Sequence, residues 1–276
     1  MSSRTLLVCG GSGFLGSRIC KIASSRNWAV TSLSRSGEPN WAAEGSRPEW
    51  ASKINWKKGD VMNPETYKDS LEGVDAVVHS MGILLEADYK GVLTGKEPVV
   101  AGLKKAFDST RATGENTVRQ GHAQMTYETM NRDTAVTLAE EAASQRAKSF
   151  LYVSAIDSFF TLPRRYITTK REAESIIAGI GEKNNMRTIF IRPSFLYDAS
   201  RGFTMPLAGV LGCVSAVNGL FGRKIPLLGA AGYKPLAVED VAGAAVKALE
   251  DENVKGVVDV DGISNLATRV WREGML

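Results

Sequence analysis

Glycines at 10, 13 and 16 break the run CGGSGFLG between two apolar segments of different period. Before them lies TLLVC (Thr5 to Cys9), a short continuous apolar stretch that reads as a buried strand. After them Phe14, Leu15, Ile19, Ile22 and Ala23 recur at helical spacing. A strand that passes into a helix within a few residues needs a turn too tight for a Cβ, which Gly10 permits. Gly13 lets the backbone approach a pyrophosphate, and Gly16 lets the helix pack closely on the sheet. The helix start then presents unpaired N–H groups and a partial positive charge to the phosphates. In this strand–turn–helix context the pattern reads as a dinucleotide cradle, with Gly10, Gly11, Ser12, Gly13, Phe14, Leu15 and Gly16 as its wall.

Beyond the first helix the chain keeps alternating between strand and helix patterns. WAVTSLSR (Trp28 to Arg35) reads as a second strand, INWKKGD as a third and VDAVVHSMG as a fourth. YETMNRDTAVTLAEEAASQR is an amphipathic helix, SFLYVSA a strand, ITTKREAESIIAGIGE a helix and RTIFIRPSF a strand. The expected fold is α/β, a Rossmann-like doubly wound parallel sheet. Its NAD(P)-binding domain spans 1–200, with a weakly periodic excursion at about 84–125 that reads as a solvated loop or a partner-binding insert.

Residues 201–276 read as a small C-terminal substrate lobe, part of which returns to the sheet through PLAVEDVAGAAVKALED and a last short strand, GVVDVDG. The lobe opens with an uncharged run, Gly202 to Gly222, too rich in glycine for a spanning helix. It reads as an apolar helix pair or as a surface lying on a membrane. Arg201, Arg223 and Lys224 bracket it as solvated charges or as basic anchors.

Composition narrows the function classes. The 276 residues carry a net charge of only +4, without the concentrated basic face of a nucleic-acid binder. Three cysteines, Cys9, Cys20 and Cys213, form no ligand-spaced cluster, and the chain has two histidines. Neither a structural disulfide nor a metal site is expected. The end of the second strand speaks to the cofactor. An NAD site places Asp or Glu there for the ribose 2′-hydroxyl. Here stands SLSRSG, in which Ser34, Arg35 and Ser36 offer a guanidinium and hydroxyls to a 2′-phosphate. NADPH is the expected cofactor, against the alternative of a surface arginine in a turn.

GGSGFLG, the GDV of Gly59 to Val61, VVHSMG, YETMN, YITTK and IRPSFLYD succeed one another in an order similar to that of extended and atypical short-chain dehydrogenases. Within them the chain resembles the branch around the NADPH-carrying accessory subunit of respiratory complex I. GGSGFLGSRIC, SRSG, VVHSMGILLE and TKREAE most resemble the fungal mitochondrial coenzyme Q (ubiquinone) biosynthesis members of that class. The resemblance covers most of residues 4 to 200. It implies that Asp60 and Val61 flank the adenine, that Ser80, Met81 and Gly82 line the ribose, that Asn131 is the helix asparagine of the fold, and that Pro193, Ser194 and Phe195 lie beside the nicotinamide.

It also gives YITTK a meaning. Tyr166 would move a proton at the substrate oxygen, and Lys170, four residues on and on the same helix face, would hold the nicotinamide ribose and favour the phenolate. The third member is out of register. Ser154 in LYVSAIDS falls one or two residues early, with Ala155 or Ile156 in its place. Two readings stay open. One is an NADPH-dependent oxidoreductase acting on a polyprenylated quinone intermediate. The other is a subunit that holds NADPH without turnover, structural or regulatory, within the ubiquinone-synthesis complex. In both, the resemblance implies other ubiquinone-biosynthesis proteins as partners and a place in the mitochondrial matrix, peripheral to the inner membrane. A nucleotide-sugar epimerase or dehydratase would want NAD and a polar substrate lobe, against Arg35 and the uncharged run.

Overall fold

In a computed structural model the protein is described over residues 3–41, 45–82, 126–157, 164–198 and 233–274. The expected excursion at 84–125 and the uncharged run after Arg201 lie outside the described residues. A parallel sheet of seven strands forms the centre. Its strands are β1 (Thr5–Cys9), β2 (Ala29–Ser34), β3 (Ile54–Lys58), β4 (Ala76–His79), β5 (Ser149–Val153), β6 (Arg187–Ile191) and β9 (Gly256–Val258). They lie in the order β3-β2-β1-β4-β5-β6-β9. The short pair β7 (Leu196–Tyr197) and β8 (Leu236–Ala237) stands apart. β1 has β2 on one side and β4 on the other, so the strand order reverses there. In open α/β sheets ligands bind at such a reversal, beyond the carboxyl ends of the strands.

Alternation along the strands fills two cores. Leu6 and Val8 of β1, Ala76 and Val78 of β4, Leu151 of β5, and Ile189 and Ile191 of β6 face one side. There they meet α1 (Phe14–Ser25), α4 (Val238–Glu250) and α5 (Val260–Glu273). Leu7, Val77, Phe150, Tyr152 and Phe190 face the other side, against α2 (Thr134–Ser144) and α3 (Arg164–Asn184). Strands buried on both faces account for runs such as TLLVC. Each fully buried Leu, Ile or Phe contributes about 1.5–3 kcal/mol. α2 and α4 meet the sheet through alanines, Ala135, Ala139 and Ala142 in one and Ala242, Ala245 and Ala248 in the other, which lets their backbones lie close.

Three elements depart from those expected. The strand expected from GVVDVDG stops at Val258, because the Asp259 carboxylate accepts from the Gly262 N–H at 2.9 Å and caps α5. The helix expected from YETMN onward begins as a π-helical stretch, Glu128–Asp133, before α2. α3 starts at Arg164, earlier than the run beginning at Ile167 suggested. Among the described residues no helix is long and apolar enough to cross a membrane.

One side chain ties the C-terminal elements to β6. Arg187, at the start of β6, donates from Nη1 to the carbonyls of Ala248, Asp251 and Val254, and from Nη2 to Leu249, at 2.7–2.9 Å. It satisfies the last turn of α4 with a cation at the negative end of that helix. Replacing Arg187 by Met strands these carbonyls, and the expected loss is roughly 2–4 kcal/mol of unfolding free energy in urea. Arg187→Lys recovers only part, since one ammonium cannot reproduce the planar fork.

Candidate functional site

The glycine turn has the form an anion requires. Gly10 sits at φ +83, and a Cβ on it would meet Ser80 Oγ and Met81 Cγ, both at 2.9 Å. A Cβ on Gly16 would lie 2.2 Å from the Gly10 carbonyl oxygen, so α1 abuts the end of β1. Gly11 backs onto β2, where a Cβ would fall 2.3 Å from Ser32 Oγ. Gly13 is the N-cap of α1 and donates to the Gly10 carbonyl at 2.8 Å. No side chain caps this helix and its first turn holds no carboxylate, so its N–H groups and dipole remain for a phosphate. Of the expected wall, Gly13 is exposed, Ser12 and Phe14 are half-buried, and Leu15 turns into the core. Leu15 can offer a ligand little beyond its backbone.

Arg18, one turn into α1, was not singled out in the sequence. It donates to the Phe14 carbonyl and lies over the Phe14 ring. Its Nη2 pairs with the buried carboxylate of Asp198 at 2.6 Å. One guanidinium thus fixes the glycine turn to the residues just past β7.

At the end of β2 the chain reverses through Gly37, φ +72. Ser34 Oγ donates to the Gly37 carbonyl at 2.9 Å, so its proton belongs to the turn. Arg35 and Ser36 are exposed at the tip. The next carboxylate along the chain, Glu38, accepts from Trp41 Nε1 at 2.8 Å and Arg47 Nε at 2.5 Å, and the Arg47 contact, more than the indole, holds it below the usual carboxylate range. At the end of β3, Asp60 is exposed and its carboxylate accepts from the Met62 N–H. Val61 is buried in the core, and its carbonyl accepts from Tyr67.

The ends of β4, β5 and β6 complete the crevice. Ser80 Oγ donates to the Cys9 carbonyl at 2.8 Å, and Met81 Sδ lies 3.1 Å from Cys9 Sγ. Gly82 is exposed, and a Cβ on it would meet Asn131 Oδ1 at 2.8 Å and Lys170 Nζ at 3.2 Å. The loop after β4, the buried Asn131 of the π-helical stretch and Lys170 of α3 therefore converge. Pro193 and Phe195 are pinned by their carbonyls to the N–H groups of Ile156 and Leu236. Ser194 is buried, donating to the Lys234 carbonyl at 2.6 Å.

Tyr166 and Lys170 share a buried face of α3. Lys170 Nζ donates to the Val153 carbonyl at 2.8 Å and lies 4.7 Å from the Tyr152 ring and 5.9 Å from the Tyr166 ring. Burial, with Arg171 adding to it, pushes the amine down to about 7 against the pull of Glu174. Tyr166 lies among Tyr127, Ala155 and Ile167, edge-on to Tyr127, and burial holds its hydroxyl well above the ordinary phenol range. Ser154 does not join them by any hydrogen bond. Its Oγ accepts from Arg171 Nη1 at 3.0 Å, while Arg171 Nη2 donates to the Ala155 carbonyl. Arg171 is held in turn by the buried Glu174, which also takes Arg192. Ala155, not Ser154, packs beside the tyrosine.

Sequence reasoning missed this Arg171–Glu174–Arg192 group. The (i, i+3) spacing in REAE was its one legible signal. Beneath it, Tyr152 donates to the Asn131 carbonyl. His79 is wholly buried. Thr134 Oγ1 gives its proton to the Met130 carbonyl, so His79 Nε2 must donate to Thr134 at 3.0 Å, and Nδ1 holds only a lone pair. Burial, helped by the Lys170 charge, pushes this imidazole down to about 3. Among the described residues no cluster could hold a metal ion.

The model of the NAD(P)H-binding family matches residues 10–205. MIOREX complex component 2 of Saccharomyces cerevisiae is 31% identical over 94% of this chain and 98% of that protein. An uncharacterized chloroplastic protein of Arabidopsis thaliana is 27% identical over 98% of this chain and 79% of its own length. Among solved structures, a mutant UDP-glucuronic acid 4-epimerase of Bacillus cereus with bound NAD superposes at a TM-score of 0.59 and 16% identity, covering 93% of this chain and 77% of the enzyme. Vestitone reductase of alfalfa gives 0.57 and 17%, covering 93% and 76%. At these identities the structures establish the fold, a Rossmann-like parallel sheet, and no more.

The two depressed bases set a pH dependence. Between pH 3 and 6.5 His79 binds a proton in the unfolded chain and none in the folded one, so stability rises with pH there. Lys170 acts with the same sign between about 7 and its ordinary 10.5. Urea titrations of nucleotide-free protein at about pH 7, 8 and 9 are expected to show the Lys170 slope, and Lys170→Met to flatten it.

Proposed function

We propose, from the premise that the chain belongs to the NAD(P)H-binding family, that it carries NADPH and works as an oxidoreductase-type protein in mitochondrial ubiquinone synthesis. The observation that carries the cofactor reading is the turn after β2. Arg35 and Ser36 stand exposed at its tip; of the two carboxylates nearby, Glu38 is bound to Arg47 and Trp41, and Asp60 accepts from the Met62 N–H. A 2′-phosphate meets a guanidinium there, and a bare 2′-hydroxyl finds no free acid. The glycine turn and the uncapped start of α1 would hold the pyrophosphate, and Gly82, Asn131 and Lys170 the nicotinamide end. The pathway, the matrix face of the inner membrane and the other ubiquinone-biosynthesis proteins as partners rest on the sequence resemblance. The name of the yeast relative, a complex component, supports work within an assembly.

NADPH, when bound, supplies a hydride. In a redox step on a polyprenylated quinone intermediate, Tyr166 would hold or release the proton at the substrate oxygen. Lys170, 5.9 Å from its ring, would favour the phenolate to the extent that it keeps its charge. Specific observations favour a second reading, a subunit that holds NADPH without turnover. Ser154 is engaged by Arg171, and Tyr166 is shifted away from ionisation.

Two experiments separate these claims. Arg35→Ala is expected to weaken NADPH binding roughly 10- to 100-fold and to leave NADH binding unchanged, followed by tryptophan-to-nicotinamide energy transfer on stripped protein. Equal loss for both nucleotides would defeat the NADPH assignment. In cells, Tyr166→Phe at normal protein level is expected to lower ubiquinone if the redox step operates. Unchanged ubiquinone leaves the holding subunit.

A further inference from the structure

We propose that Lys58 is a second cation for the 2′-phosphate, so that NADPH is selected by a clamp drawn from the ends of β2 and β3. This rests on the NADPH reading and goes beyond it, since the sequence pattern around Arg35 says nothing of residue 58.

The parallel register sets Lys58 opposite Ser34, the last residue of β2. The two strands end together, and the Gly59 N–H donates to the Ser34 carbonyl at 3.1 Å, holding the ends in line. The Lys58 stem then runs along the turn that carries Arg35 and Ser36. A Cβ on Gly37 would lie 2.8 Å from Lys58 Cγ, 3.3 Å from Cε and 3.6 Å from Cδ. Residue 37 is therefore glycine for two separate reasons. Its φ of +72 disfavours any other residue, and the lysine stem occupies the space of a side chain.

The charges facing this turn favour an anion. Among the described residues the side chains of Arg35 and Lys58 have no ion pair or hydrogen bond, and Ser36 leaves its hydroxyl unused. Ser34 has committed its proton to the Gly37 carbonyl, so the donors left at the tip are Arg35, Ser36 and Lys58. Of the two carboxylates nearby, Glu38 is held by Arg47 and Trp41, and Asp60 is folded back onto the Met62 N–H. A dianionic phosphate at this turn would be drawn by both unpaired cations. A ribose hydroxyl would not. Lys57, one residue earlier, points to the opposite face of β3 and supplies a control of equal charge.

The experiment uses the full chain stripped of nucleotide. NADPH and NADH are titrated by energy transfer from tryptophan, and adenosine 2′,5′-bisphosphate and AMP are used as competitors without a nicotinamide. Lys58→Met is expected to weaken NADPH and the bisphosphate about tenfold, with NADH and AMP held within about twofold. Its NADPH affinity should also fall less steeply with salt than that of the wild type. Lys57→Met should leave the NADPH-to-NADH ratio in place. An unchanged ratio in Lys58→Met, while the wild type still prefers NADPH, overturns the clamp and leaves the cofactor reading intact. A wild type that binds neither nucleotide, or prefers NADH, overturns both.

Discussion

A methyl group on residue 16 would stand 2.2 Å from the Gly10 carbonyl oxygen, and the arrangement of the crevice depends on that closeness. Because nothing separates β1 from the first turn of α1, the helix starts directly over the strand end. It must then cross back along the sheet, burying Leu15, Ile19, Cys20 and Ala23. Its N–H groups aim at the point where β2 and β4 part on either side of β1. Any side chain at 10 or 16 would push helix and sheet apart, and every position in the crevice measured from that junction would move with it.

The substrate end obeys a different constraint, the cost of burying charge. Lys170 answers with an amine that burial pushes down to about 7 and with a hydrogen bond to the Val153 carbonyl. Arg171 and Arg192, which cannot neutralise themselves, are balanced by one buried carboxylate, Glu174. Ser154 is drawn into that balance as an acceptor. The region around Tyr166 and Lys170 is thus organised largely by the needs of its own cations. Tyr166, packed against Tyr127, Ala155 and Ile167, is held above the ordinary phenol range by the same burial.

Much of this architecture is legible in the sequence, and the illegible parts share a cause. The glycine turn, the parallel sheet and the cation after β2 are encoded by neighbours in sequence, through the tight turn, strand runs and helical spacing. The Arg18–Asp198 pair joins residues at opposite ends of the Rossmann core, and no local pattern marks such a partner. Lys58 reads in sequence as the end of a third strand, and only the register of β3 on β2 sets it opposite Ser34, next to the turn that carries Arg35. The cap on α5 was misread because Asp259 sits within a run of valines. The sheet itself takes its seventh strand from residues 256–258.

α4 and α5 supply much of the apolar cover on the face that α1 occupies, through Val241, Ala245, Leu249, Ile263 and Leu266. A chain leaving the ribosome therefore finishes its nucleotide end early and its core late. Until the last elements emerge, Ile19, Ala23 and the strand residues Leu151, Ile189 and Ile191 lack part of their cover, and Arg187 lacks the carbonyls it serves. That interval is when such a chain is open to aggregation. Nucleotide bound to the junction of β1 and α1 would hold α1 to the sheet through it, so a cofactor can assist biogenesis whether or not it is ever turned over.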